Sequence, residues 1–467
     1  MSGATYGHEL RLPEAELEES LRGASAVPFW LDGPRPTALP LSGDTSTDLL
    51  VMGGGYCGLW TALQAKERDP DRDVMLVEAH RIAWAASGRN GGFVEATLTH
   101  GDENGARHFA AELPSIEALG EENFDELRAT LERYGIDAEW EEEGVLSVAT
   151  EPHQLDALRR GGASVLEGDA LRKYTRSPVV RGAEFERDHV ALVHPGKLAE
   201  GLRRACLSLG VRMHERTRVS KIERRHGSEI AVTDGGRIAA RQVALATNGF
   251  PSLLKRNTLR TVPIYDYVLV TEPLSAAQLE EIGWVGRHGM TDLSRQFHYY
   301  RKTADDRILW GGYDAVYHRG RRIRPAYDQR PETFLRLADH FFTAHPSLRG
   351  TRFSHAWGGM IDMSTTFVSF QGTAHGGAVA YSSGYTGLGV AATRFGAAVM
   401  LDLLDGVPTK RTSLAFSTTK PFPIPPEPVA YPVIQTMRGA IARSDADGGR
   451  DGILIRAMEA FGIGFDS

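Results

Sequence analysis

A turn made largely of glycine, Gly53-Gly54-Gly55-Tyr56-Cys57-Gly58, constrains this chain more than any other feature of its sequence. The apolar run Leu49-Leu50-Val51-Met52 precedes it, Leu59, Ala62 and Leu63 follow at helical spacing, and Val74-Met75-Leu76-Val77 reads as a second strand. Strand, helix and strand within about thirty residues predict a βαβ unit. In the pattern G-x-G-x-x-G, Gly53 permits the tight turn, Gly55 lets a pyrophosphate approach the backbone, and Gly58 allows close helix–strand packing. The helix N-terminus adds free N–H groups and a partial positive charge. Glu78 ends the second strand, followed by Ala79, at the place where an acid accepts hydrogen bonds from a ribose. A dinucleotide site is the expectation; the alternative is a tight structural turn beside a surface glutamate.

The rest of the chain must house what such a site serves. Its 467 residues exceed one ordinary core, so two domains, interleaved or consecutive, are expected. A formal net charge of −7 gives no reason to expect nucleic acid or an anionic membrane, and a small molecule is the default partner. No run of about 18 apolar residues occurs, and the acidic first twenty residues read as no signal peptide. Two cysteines, Cys57 and Cys206, argue against a disulfide scaffold and fit a reducing cytoplasm, and neither has a metal-ligand spacing with histidines. The acidic cluster Glu139 to Glu143 reads as a solvated face.

Two further segments look like parts of the same site. Ser87-Gly88-Arg89-Asn90-Gly91-Gly92, after the second strand, is too polar and glycine-rich for an element interior and reads as a loop pressed against something flat or charged. Gly384-Tyr385-Thr386-Gly387-Leu388-Gly389 lies between a strand and an apolar helix, and would aim a second helix N-terminus at whatever the first one holds.

With these motifs, and with Ala246-Thr247-Asn248-Gly249, Thr271 to Leu274, Tyr300-Arg301, Arg307 to Gly312 and Trp357-Gly358-Gly359, the chain resembles the FAD-dependent oxidoreductases of the D-amino-acid oxidase and glycine oxidase family. The likeness is closest to the γ-glutamylputrescine oxidase-like members. It implies an α/β (mixed α+β) fold: a discontinuous Rossmann-like FAD domain, residues 47–103, 190–261 and 351–408, with an inserted mixed-sheet substrate domain, residues 104–189 and 262–350. Residues 1–46 are then a lead-in and residues 409–467 a C-terminal extension.

By the same likeness Ser87 to Gly92 lie along the flavin, Val219 contacts the adenine, and Gly384 to Gly389 approach the pyrimidine end of the ring. Arg301 matches the arginine that pairs with an amino-acid carboxylate. The cysteine that carries flavin covalently in sarcosine oxidase would fall in the C-terminal half, where this chain has none, so non-covalent FAD is expected; His100 is the nearest histidine candidate for a link. The reaction implied is oxidation of an amine or amino acid at its C–N bond, with oxygen or another electron acceptor. Tyr265, Tyr267, Tyr299, Tyr300 and Trp357 are candidates for the aromatic pocket that would favour the neutral amine, and Arg89 and Lys302 for positive charge near the flavin. A non-catalytic flavin-binding subunit and a nicotinamide dehydrogenase are the competing readings. Substrate identity and oligomeric state are left open.

Overall fold

The computed structural model describes residues 4–162 and 164–460. Two eight-stranded sheets organise the chain. The first runs in the order Phe370–Ala374, Val379–Ser383, Gly236–Leu245, Thr45–Met52, Val74–Val77, Arg212–His214, and all neighbours but the first pair are parallel. Thr45–Met52 is buried on both faces, which is why it reads as a continuous apolar run: Leu49 and Val51 join one core, Leu50 and Met52 another. On the first face, helix Tyr56–Arg68 packs against helices Gly389–Asp405 and Pro195–Ser208. Val219–Arg225, Ser228–Thr233 and the start of Gly236–Leu245 form an antiparallel β-meander.

The second sheet has the order Val316–Tyr317, Thr261–Thr271, Ile308–Gly312, His298–Lys302, Gly289–Asp292, Val145–Ala149, Gly182–Glu186. Its eighth strand, Phe353–Ser364, pairs with Thr261–Thr271 almost end to end. That strand falls inside the stretch expected to return to the nucleotide-binding sheet; the return begins only at Phe370–Ala374. Along Thr261–Thr271 the side chains alternate. Tyr265, Tyr267 and Leu269 join the core under helix Pro331–Ala344, whereas Val262, Ile264, Asp266 and Val268 line a cavity on the opposite face.

The lead-in is fastened to this second unit. Helix Glu14–Leu21 packs on helix Pro331–Ala344, and Asp339 accepts the N–H groups of Arg11 and Leu12 at 3.0 and 2.8 Å. The acidic cluster is less free than its sequence implies: Glu139 pairs with Lys197 (2.6 Å), Glu141 with Arg287 (2.8 Å) and Glu142 with Arg128 (3.1 Å). Among the described residues no helix is long and apolar enough to cross a membrane.

Trp310 is the centre of the second core, fully buried with Tyr300, His298 and Phe341 rings 4.4, 5.0 and 5.7 Å from its own. Trp310→Ala is expected to cost about 3–5 kcal/mol, the scale for emptying an aromatic site. A thermal denaturation midpoint equal to that of the wild type would show that the site repacks.

Candidate active site

A cavity of about 1580 Å³ is lined from both sheets. The glycine turn forms its floor, and the geometry shows why each glycine is there. Gly53 has φ +113°, and a Cβ on it would lie 2.4 Å from the carbonyl oxygen of Ala246, the residue that follows the neighbouring strand Gly236–Leu245. At Gly58 a Cβ would come within 1.8 Å of Gly53 O, so the helix packs on the turn at a distance no side chain permits. Tyr56 N donates to Ser87 Oγ at 2.9 Å, joining the turn to the next loop. The Glu78 carboxylate accepts from Gly54 N (2.6 Å) and His80 N (2.8 Å) while its edge lines the cavity; burial raises its pKa above the ordinary carboxylate range in spite of these bonds.

The loop after the second strand is held by its own side chains. Asn90 Nδ2 donates to Ala86 O and Ser87 O (3.0 and 3.1 Å), and its Oδ1 accepts from Gly92 N (2.9 Å). Arg89 lines the cavity with its guanidinium committed, Nη1 lying 2.7 Å from both Asp328 Oδ2 and Gly358 O. Opposite, Gly387, Leu388 and Gly389 bring the N-terminus of the 17-residue helix Gly389–Asp405 to the cavity wall without a side-chain cap. His100 Nε2 lies 2.8 Å from Thr386 O, and burial pushes this histidine down to about 4, so it is neutral at pH 7.

Of the expected cofactor residues, Gly53, Gly55, Tyr56, Cys57, Glu78, Ala79, Ser87, Arg89, Asn90, Gly91, Gly92, Val219, Tyr385, Thr386, Gly387, Leu388 and Gly389 all border this one cavity. Gly54, Gly58, Gly88 and Gly384 do not; each is a packing position where a Cβ would meet a neighbour at 2.9 Å or less. The substrate candidates divide. Tyr299 is on the wall, its ring against Gly91 and Gly311. Tyr267 points to the other face of its strand, its OH donating to Tyr327 O at 2.9 Å. Trp357 is buried beside Trp30 and donates Nε1–H to Arg89 O at 3.0 Å, so it supports the loop from behind. Lys302 gives its ammonium to Val285 O (2.8 Å), away from the cavity. Arg301 is fully buried between Val193 O (2.6 Å) and the Trp30 ring, and it too is absent from the wall.

The most telling side chain lies outside every motif. Asp266 sits on the cavity wall and accepts the Tyr299 hydroxyl at 2.5 Å and the Tyr267 N–H at 2.8 Å. Burial pushes its carboxyl up to about 6 against the lowering effect of these bonds. Its signal in the sequence is a lone acid at an inward position of an otherwise apolar alternation, Val262, Ile264, Asp266, Val268. A second buried acid, Asp362, accepts from Gly384 N and from Asn248 and is pushed up to about 7 by burial.

One cavity shared between a nucleotide-cradling sheet and a second sheet with titratable groups defines a dinucleotide-dependent oxidoreductase. The chain belongs to the family of FAD dependent oxidoreductases, which it matches over residues 48–403. It is 28% identical over 403 residues to gamma-glutamylputrescine oxidoreductase of Escherichia coli, covering 82% of this chain and 89% of that one. To a probable oxidoreductase, OrdL, of Haemophilus influenzae it is 24% identical, over 79% and 85% of the two chains. Among solved structures, glycine oxidase from Geobacillus kaustophilus superposes with a TM-score of 0.63 at 18% identity, over 81% of this chain and 99% of that one. FAD is therefore the cofactor, and the residues present fit it: two glycine positions where the backbone itself faces the cavity, two uncapped helix N-termini, and Asn248, whose Oδ1 is buried on the wall without a partner.

Two substitutions test this assignment. Gly55→Leu, which fills the cradle, is expected to yield folded protein without the yellow of bound flavin; normal flavin absorbance would remove Gly55 from the cofactor site. Arg301→Ala is expected to lower stability by about 1–3 kcal/mol, the cost of leaving the buried Val193 carbonyl without its donor, with little change in substrate KM. A raised KM for carboxylate substrates at unchanged stability would return Arg301 to substrate binding.

Proposed function

We propose that this enzyme oxidises the C–N bond of an amine or amino acid to an imine, which water hydrolyses to a carbonyl compound and ammonia or amine, with oxygen as acceptor and hydrogen peroxide as product. The observation that carries the reading is the Asp266–Tyr299 pair on the wall beside the flavin loop, where the Tyr299 ring touches Gly91. Bound FAD supplies the two-electron acceptor; the chain handles the proton and the orientation. A simple alkyl amine reaches the enzyme as an ammonium with a pKa of about 10, and its nitrogen lone pair must be free before the carbon can give up hydride. The Asp266 carboxylate attracts the ammonium. Desolvation lowers the amine's pKa as it raises that of Asp266, so the two approach each other and the proton can pass to the Asp266 carboxylate. Tyr299, donating to the other side of the same carboxylate, fixes its orientation.

The cavity's charge supports a cationic substrate. Glu95, Glu184, Glu186 and Asp188 line one side of it, and burial reinforced by Glu186 pushes Glu95 up to about 7. Three of the four arginines on the wall offer little to a carboxylate: Arg89, Arg295 and Arg438 are paired with Asp328, Asp451 and Asp314 at 2.7, 2.9 and 2.9 Å. The fourth, Arg218, stands exposed beside Val219 of the first sheet, whereas Asp266 lies on the second. This favours amines over α-amino acids within the proposed class.

The test is a panel of amines and amino acids screened for anaerobic flavin bleaching and for peroxide in air. With an active substrate, the rate is expected to rise with pH through about 6 as Asp266 ionises. Asp266→Asn should remove that limb and lower kcat by about 10²-fold, the low end for loss of an acid–base group. Retention of both rate and pH limb would eliminate Asp266 as the proton acceptor, and a flavin that no amine bleaches would eliminate the reaction.

A further inference from the structure

The family match ends at residue 403, yet the chain beyond it returns to the cavity. Residues 421–429 run across the rim of the second sheet, and helix Ala430–Ala446 follows. Phe422, Ile424, Val433, Ile434, Met437 and Ile441 line the same cavity as the glycine turn and Asp266. Val433, Met437 and Ile441 recur every four residues, so they form one stripe along the helix. Ile424 and Ile434 pack on Val262 and Ile264, the inward-facing neighbours of Asp266 on its own strand.

The segment is fastened at separate points. Ile424 N donates to Leu259 O at 2.7 Å, and the Glu427 carboxylate accepts from Tyr317 OH (2.7 Å) and Gly320 N (2.8 Å). Arg438, on the cavity side of the helix, is held by the buried Asp314 at 2.9 Å, and Asp445 accepts both Arg295 N and Gln296 N at 3.0 Å. Although so held, the segment keeps large apolar side chains in water: Phe422 is 62% and Val433 40% exposed. A ligand with an apolar arm would cover them, and covering them is favourable.

We propose that this C-terminal strap is the specificity wall of the cavity, selecting substrates that carry an alkyl or aryl arm on the reacting carbon. The inference rests on the amine-oxidation reading for the direction of the substrate: nitrogen toward Asp266 and the acidic side, apolar arm toward the strap.

Holoenzyme is titrated anaerobically with n-alkylamines from propyl to octyl and, separately, with n-alkanols of the same lengths, binding being read from perturbation of the flavin absorbance. Affinity is expected to rise about fourfold per methylene until the arm is accommodated, the transfer value of one CH₂. Ile434→Glu combined with Met437→Glu should abolish the rise, and the milder pair Ile434→Ala with Met437→Ala should reduce it below about twofold per methylene while keeping flavin content and the circular dichroism of the wild type. A wild-type enzyme indifferent to chain length in both series, or a slope unchanged in the alanine pair, would overturn the proposal. Alkanols have no C–N bond to oxidise and no charge for the acidic side to repel, so their slope remains readable even where no amine bleaches the flavin.

Discussion

A single buried guanidinium holds the two halves of the active site in register. Arg301 lies on a central strand of the second sheet with no exposure to solvent, and a charge in that position persists only where hydrogen bonds and a counter-charge replace water. Nη1 donates to Val193 O at 2.6 Å and lies 3.4 Å from Gly92 O; Nε donates to Lys302 O at 3.2 Å. Glu141 stands 3.8 Å from Nη2, and the Trp30 ring covers the group at 5.7 Å. Burial pushes the guanidinium down to about 10, against the raising effect of Glu141, so it remains charged at neutral pH. The lead-in, the flavin loop, the segment after strand Val190–Leu192 and the second sheet thus converge on one cation. Gly92 allows the approach: with φ +79°, a Cβ there would stand 2.2 Å from Val193 O and 2.8 Å from Nη1.

From that node the cavity inherits its division of labour. The first sheet brings backbone to the cavity at Gly53 and Gly55, where a Cβ would stand 2.4 and 2.9 Å from a neighbour. The second sheet brings side chains to the same cavity, through the inward positions of Thr261–Thr271 and through Tyr299. Tyr299 reaches Asp266 because Gly91 and Gly311 leave room for its ring, with any Cβ at either lying within 2.8 Å of it. The aromatic pocket expected from the amine chemistry is consequently narrower: Tyr265, Tyr267, Tyr300 and Trp357 stabilise the core and the loop, and Tyr299 alone among these candidates is at the wall.

What could be read from the sequence follows from how local each signal is. The glycine turn, Glu78 and the loop from Ser87 are legible because their chemistry is backbone chemistry, specified by residues adjacent in the chain. Arg301 was matched by motif to a carboxylate-binding role, but its destination depends on Val193, Glu141 and Trp30, which lie far from it in sequence. Alternation separates Tyr267 from Asp266 only once it is known which face of their strand the helix Pro331–Ala344 covers. Residues 351–408 are expected as one stretch of the FAD domain, yet Phe353–Ser364 within them pairs in the second sheet, because strand pairing is a long-range choice that composition does not encode.

The C-terminal strap extends the same logic beyond the part of the chain that the family shares. A cofactor cavity built from two sheets needs no third element to hold flavin, since every cofactor-facing glycine lies before residue 403. Its open rim is where families of one fold diverge, because residues there change what enters without disturbing the cradle. Here the rim is finished asymmetrically. Glu95, Glu184 and Glu186 lie on one side, the apolar stripe of helix Ala430–Ala446 on another, and Asp266 on the wall that Val262 and Ile264 share with the strap. On the proposed reading, an amine whose charged and apolar ends are separated matches that asymmetry with its nitrogen toward the Asp266 carboxylate and its apolar arm along the strap.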